Sequence, residues 1–180
     1  MIHKTVKITN LKINIRYNWP VHFVLLFTNW FPDNVSCYAF RGWLIRKLLA
    51  KCGNRLLVGR NVTIQNPSNL FLGSNVYLGY DTFFQGSDEI VIGDRVLVAP
   101  NCLFVSDDHV RVEGSYSNDT KKSSPILIQN DCWLGAHVVV TAGSKIGSGV
   151  CVAAGAVVHG DFPDNVMIGG VPARIIKKLE

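Results

Sequence analysis

Between Ile128 and Val158 an aliphatic residue returns at every sixth position: Ile128, Leu134, Val140, Ile146, Val152 and Val158 open the units IQNDCW, LGAHVV, VTAGSK, IGSGVC and VAAGAV and the one after them. Six is a multiple of the strand period of two, so all these side chains point to one side of an extended chain. On a helix each step would turn them by about 240° and no face would survive. Four residues after each aliphatic lies another inward position, held by Cys132, Val138, Ser144, Val150 and Ala156. A large aliphatic followed by a small inward residue, with Gly135, Gly147 or Ala153 permitting a corner, predicts short flat strands that turn every six residues and stack on themselves. Three such strands make one triangular coil.

The same hexads recur upstream as VGRNVT from Val58, LGSNVY from Leu72, LGYDTF from Leu78, IGDRVL from Ile92 and VAPNCL from Val98. The expected fold class is therefore all-β, a parallel β-helix of about five coils of roughly 18 residues each. At a strand spacing of roughly 4.8 Å it stands on the order of 25 Å tall. The expected organisation is an N-terminal arm and helical cap over residues 1–54 and a β-helix domain over 55–180, with an inserted loop at 106–125 and a short capping tail. Slips in the period between Leu70 and Leu72 and from Gly86 to Ile90 read as small corner loops.

Ahead of the repeats, residues 1–18 alternate polar and aliphatic (Val6, Ile8, Leu11, Ile13, Ile15), which predicts a strand or extended arm, and Pro20 predicts a break. Trp19 to Phe31, with VHFVLLF at its centre, falls short of the ~20 residues a bilayer crossing needs, so it reads as a buried or interfacial helix. Phe40 to Lys51 reads as an amphipathic helix with Arg41, Arg46, Lys47 and Lys51 on its polar side and Gly53 as its stop. Two readings of this segment stay open. It caps the exposed strand edges of the first coil, or it holds the protein weakly at a membrane surface.

The opening residues lack the apolar stretch of a signal peptide, and five cysteines without a CxxC pair fit a reducing compartment, so a cytoplasmic location is expected. Net charge +5 points to an anionic partner, yet it lacks the clustered stripe that nucleic-acid binding requires. A phosphate-bearing cofactor is the more economical partner. Ser106 to Pro125 breaks the period with about 20 mostly polar residues and no strand pattern, and long loops in compact domains tend to be functional. It contains His109. Trp133 takes an outward position, as a surface ledge or as inter-subunit packing, and His137 is outward too.

These features together, LGxxxV repeats, SDDH in the insertion, then PILIQNDCWLGAHVVVTAGSKIGSGVCVAAGAVV and GGVPARIIKK, resemble the hexapeptide-repeat acyltransferases over roughly residues 55–178. Within that family the chain is similar to O-acetyltransferases of sugars and surface polysaccharides, including those of galactosides and maltose. The resemblance implies a left-handed β-helix, a homotrimer with sites between subunits, and transfer of an acetyl group from acetyl-coenzyme A to a sugar hydroxyl, with no metal. By the same likeness His109 is the general base. An imidazole, with an ordinary pKa near ~6.5, is largely neutral at pH 7 and able to take a hydroxyl proton; a solvated loop histidine is the competing reading. Buried cysteines and the lack of GxSxG favour direct transfer over an acyl-enzyme.

The resemblance assigns coenzyme contacts to Ala136, Ala154, His159, Gly160, Arg174 and Lys177, the last two suited to phosphates or else ordinary tail cations. A backbone N–H at Gly135 or Ala136 is the expected oxyanion donor. Where the galactoside branch offers the acceptor an asparagine and an aspartate, this chain has Gly79 and Ser87, which predicts a different acceptor. Trp133, Asp81 and Asn101 are the candidate acceptor contacts. A zinc hydratase needs three imidazoles, two close together, and the spacing of His109, His137 and His159 does not supply them. An acetyltransferase of a small soluble acceptor and a non-enzymatic scaffold remain as alternatives.

Overall fold

The computed structural model describes residues 11–180, leaving aside the side chains of 117–119. The hexad rhythm becomes three parallel sheets wound around one core. The first face stacks Lys51–Cys52, Leu70–Leu72, Ile90–Ile92, Ile126–Ile128, Lys145–Ile146 and Asp161–Phe162. The second stacks Leu57–Val58, Tyr77–Leu78, Leu97–Val98, Trp133–Leu134, Cys151–Val152 and Val166–Gly170. The third stacks Thr63–Gln65, Phe83–Gln85, Leu103–Val105, Val139–Thr141 and Val157–Val158. This makes about six turns, one more than expected, because the coil begins at Lys51 ahead of the first legible hexad and runs past Pro163 to Gly170. Pro163 and Gly169 both lie within the stack.

In-register pairing sets Val58, Leu78, Val98, Leu134, Val152 and Ile168 in one inward column, all buried. The small inward residues Cys132, Val138, Ser144, Val150 and Ala156 are buried as expected. Phe84 and Phe104 stack inside with centroids 4.6 Å apart. From the second face to the third the chain turns through Asn61, Asp81, Asn101, His137 and Gly155, with φ from +56° to +72°. Gly, Asn and Asp tolerate the left-handed region best, which gives Asp81 and Asn101 a structural reason to be there.

Ahead of the solenoid, α1 (Leu11–Ile13) and a π-helical turn (Asn14–Asn18) lead directly into α2 (Trp19–Thr28), followed by α3 (Val35–Ile45). Residues 11–18 are thus helical and not an extended arm; Leu11, Ile13 and Ile15 are all exposed, so no sheet edge recruits their alternation. Val6 and Ile8 lie outside the described residues. Pro20 sits in the first turn of α2, where its missing N–H is tolerated, and the chain does not break there. α3 starts at Val35, earlier than Phe40, because the Asn34 side chain caps it by accepting the Cys37 N–H at 2.9 Å. It ends before Gly53, which already belongs to the first coil.

Arg41, expected on a solvated face, is 0% exposed. Its Nε and Nη2 donate to the Thr28 carbonyl at 3.2 and 3.1 Å, Nη2 also to Phe31 at 3.0 Å, and Nη1 to Val58 at 3.2 Å, while Asp33 lies 3.6 Å away. A guanidinium has enough donors to serve several carbonyls at once, so Arg41 pins both helices to the first coil. Gly42 allows the close approach: a Cβ there would sit 1.9 Å from the Leu56 carbonyl oxygen. Among the described residues no helix is long and apolar enough to cross a membrane.

The insertion is not structureless. Asp107–Val112 pairs antiparallel with Ser115–Ser123 around Glu113 (φ 48°) and Gly114 (φ 84°). Two successive positive φ values make the two-residue turn whose twist matches a hairpin. These strands pair with each other and not with the core, so no aliphatic alternation marks them in the sequence. At the other end, Ala173–Lys178 folds back antiparallel on Val166–Gly170 and covers the last rung of the second face.

Candidate active site

The hairpin leaves the third face at Ser106, whose buried hydroxyl accepts the Asp88 N–H at 2.8 Å. The next residue, Asp107, is 5% exposed and accepts from Gln85 Nε2 at 2.7 Å, Ser87 Oγ at 2.6 Å and Lys121 Nζ at 3.0 Å. One carboxylate therefore ties the third face, the corner after it and the returning hairpin strand to a single point. Two residues further along the same strand stands His109, exposed, with Lys121 as its cross-strand partner. Asp107 went unassigned in the sequence because its partners are remote in the chain. The available signal was Ser87, which takes the place where the resemblance expects a carboxylate; here its hydroxyl meets one supplied by the hairpin.

The remaining candidates fall on two edges of the third face and on the second face. Asp81, Asn101 and His137 stack in one column at the edge between the second and third faces, their N–H groups donating to the Arg60, Tyr80 and Pro100 carbonyls. Ala136 adjoins that column, and the Gly155 N–H donates to the Ala136 carbonyl at 2.8 Å, which brings Ala154 onto the next rung above. The Gly135 N–H is taken by the Val152 carbonyl at 2.8 Å. Gly135 is thereby removed as an oxyanion donor, leaving Ala136.

His159 and Gly160 occupy the opposite edge, the one from which the hairpin springs two rungs earlier, and His159 Nδ1 lies 3.0 Å from Thr141 Oγ1. Arg174 and Lys177 are exposed on the terminal strand, opposite Gly169 and Met167, with Arg174 Nη1 donating to the Ala173 carbonyl at 2.8 Å. Trp133 points outward from the second face between Leu97 and Cys151 and is 55% exposed. A single chain thus puts Trp133 and the terminal cations on a different face from the hairpin that carries His109.

Burial pushes the Cys102 thiol up to about 11, and it raises Cys132 as well, so neither offers a thiolate near neutrality. Among the described residues no group of three His, Cys, Asp or Glu is placed to hold a metal. A groove of about 400 Å³ between α3 and the second face, lined in part by Trp43, Arg46, Tyr77 and Leu97, contains none of the candidate residues.

A family model described as bacterial transferase hexapeptide (six repeats) matches residues 125–160. The galactoside O-acetyltransferase of Escherichia coli (strain K12) is 34% identical over 136 residues, covering 76% of this chain and 67% of that protein. A second protein of Escherichia coli (strain K12), provisionally named a colanic acid biosynthesis acetyltransferase, WcaF, is 29% identical over 166 residues, covering 92% of this chain and 87% of its own. Among solved structures, the hexapeptide-repeat-containing acetyltransferase of Vibrio cholerae O1 biovar eltor, complexed with acetyl-coenzyme A, superposes with a TM-score of 0.81 at 25% identity over 96% of this chain and 91% of that one.

Proposed function

The chain belongs to the hexapeptide-repeat transferase family, and from that premise we propose that it is an O-acetyltransferase that moves an acetyl group from acetyl-coenzyme A directly to a sugar hydroxyl. The observation that carries the reading is the hairpin root, where buried Asp107 braces the strand that presents His109 to solvent. His109 accepts the proton of the acceptor hydroxyl as its oxygen attacks the acetyl carbonyl, and returns it to the departing sulfur. The Ala136 N–H faces the negative charge that develops on the carbonyl oxygen. With their thiols held protonated by burial, Cys102 and Cys132 do not compete as nucleophiles.

Acetyl-coenzyme A supplies the activated acetyl group as a thioester. The residues expected to hold it fit a phosphate-bearing chain: Arg174 and Lys177 are exposed cations, and a Cβ added at Gly155 or Gly160 would meet nothing within 4 Å, so the backbone beside Ala154 and His159 is open to a ligand. We assign the acceptor to surface polysaccharide or its precursor, supported by a colanic acid relative that covers nearly the whole chain. Trp133, Asp81 and Asn101 are its proposed contacts. The resemblance implies a homotrimer with sites between subunits, and we propose that assembly here; the placement of Trp133 and His109 on different faces of one chain fits a site shared between copies. Five unpaired cysteines fit a cytoplasmic setting.

The test is turnover of His109→Ala with acetyl-coenzyme A, measured by release of free thiol across a panel of sugar acceptors. A loss of about 10² to 10⁴ with the fold intact is expected. Near-normal turnover in that variant would remove His109 from the chemistry.

A further inference from the structure

α2 is apolar on both sides. Val21, Leu25 and Thr28 are buried, whereas Trp19, Phe23, Leu26 and Phe27, spaced three and four residues apart on the other side, are exposed, Phe27 at 69%, and Trp30 in the turn just past the helix is 87% exposed. Phe31, Phe40 and Trp43 continue this surface onto α3 as a row of exposed rings with centroids 5.9 and 6.2 Å apart. A contiguous apolar surface of this kind marks an interaction site.

Charge identifies the occupant. Residues 1–52 hold eight of the eighteen Lys and Arg against one of the thirteen Asp and Glu, while the rest of the chain holds ten against twelve. The net +5 is thus +7 on the N-terminal segment and −2 on the solenoid. Arg16 is exposed one turn before Trp19, Arg46 lines the groove beside Trp43, and Lys47 and Lys51 are exposed. Two copies meeting through this surface would bring like charges together. An anionic bilayer offers hydrocarbon to the rings and phosphate to the cations, and Trp in particular favours the headgroup boundary.

We propose that α2 lies in the interface of an anionic lipid bilayer, parallel to its surface, with the aromatic side down and the solenoid projecting into solution. Since no described helix is long enough to cross, the helix rests on the membrane and does not span it. The inference goes beyond acetyl transfer and does not depend on the acceptor.

The test uses the full chain and vesicles of phosphatidylcholine with or without roughly 30% phosphatidylglycerol. Co-sedimentation is expected with the anionic vesicles at about 50 mM salt, with tryptophan emission shifted to the blue, and is expected to fall at least about tenfold at 0.5 M salt, where the Debye length shrinks. Phe27→Ser combined with Trp30→Ser should abolish binding, and Lys47→Glu combined with Lys51→Glu should weaken it, with circular dichroism and solution mass unchanged in both, since all four residues are exposed. No binding by the wild-type chain at low salt, equal binding to phosphatidylcholine alone, or wild-type binding by both double variants overturns the proposal. If wild-type protein ignores vesicles and Phe27→Ser/Trp30→Ser lowers the solution mass, the face belongs to a second copy and the proposal is likewise overturned.

Discussion

Asp107 and Arg41 are both buried charges whose partners come from segments far apart in the chain, one holding the hairpin and the other holding the helices. Asp107→Asn preserves shape but weakens the bonds from Lys121 and Ser87, so the strand that carries His109 loses its fixed origin. Turnover should fall about 10- to 100-fold with little change in melting temperature, since small misplacements of a reacting group are costly. Wild-type turnover would mean that the hairpin ladder alone holds His109. Cys102 makes a different expectation. Its thiol is pushed up to about 11 from 9.0 in the fold, so between those pH values the unfolded chain gives up a proton that the folded chain keeps. Its contribution to stability is intact below pH 9.0 and is lost as pH rises toward about 11, at about 1.4 kcal/mol per pH unit. Urea midpoints measured across that window should fall less steeply for Cys102→Ala; an identical slope would assign the alkaline loss to other groups. Neither residue's role was legible in the sequence in the way the inward position of Cys102 was. A position follows from the period, whereas the partners of Asp107 and Arg41 exist only once remote segments have met.

At the scale of elements, what repeats was legible and what occurs once was not. The strands from Val58 to Val158 declare themselves through the spacing of aliphatic residues, because that spacing is itself the condition for facing one core. The hairpin at 107–123 buries no common face, and its Glu113–Gly114 turn is a weaker signal than Asn-Gly, so its polar strands resembled a loop. The opening rung at Lys51–Cys52 carries too few residues to show a period, which is why the first coil went uncounted. The terminal strand Ala173–Lys178 displays Arg174 and Lys177 on the edge of the second face. If these cations hold the coenzyme phosphates, Arg174→Ala with Lys177→Ala should raise the KM for acetyl-coenzyme A about tenfold and leave kcat nearly unchanged, as loss of uniform binding does. An unaltered KM would make the strand only a lid on the last rung.

For the whole molecule, the outward column of the second face is a further constraint. Leu97 and Trp133 lie side by side in register, 49% and 55% exposed, on a flat surface that a single chain leaves in water. Packing that surface against another copy would cover it, and the proposed shared site requires Trp133 of one chain to lie beside the hairpin of the next. Light scattering at micromolar concentration should give three times the 19.9 kDa chain mass, and a mass of one chain would end the shared-site reading. The solenoid also has a property that no single rung possesses. Each rung lifts the chain by about 4.8 Å, and two rungs of the third face, Thr63–Gln65 and Phe83–Gln85, lie beneath the one from which the hairpin departs. The stack is therefore a ruler. It fixes the height of His109 above α2 and α3, so that adding or removing a coil below the hairpin would change the reach of the imidazole while leaving its immediate neighbours as they are.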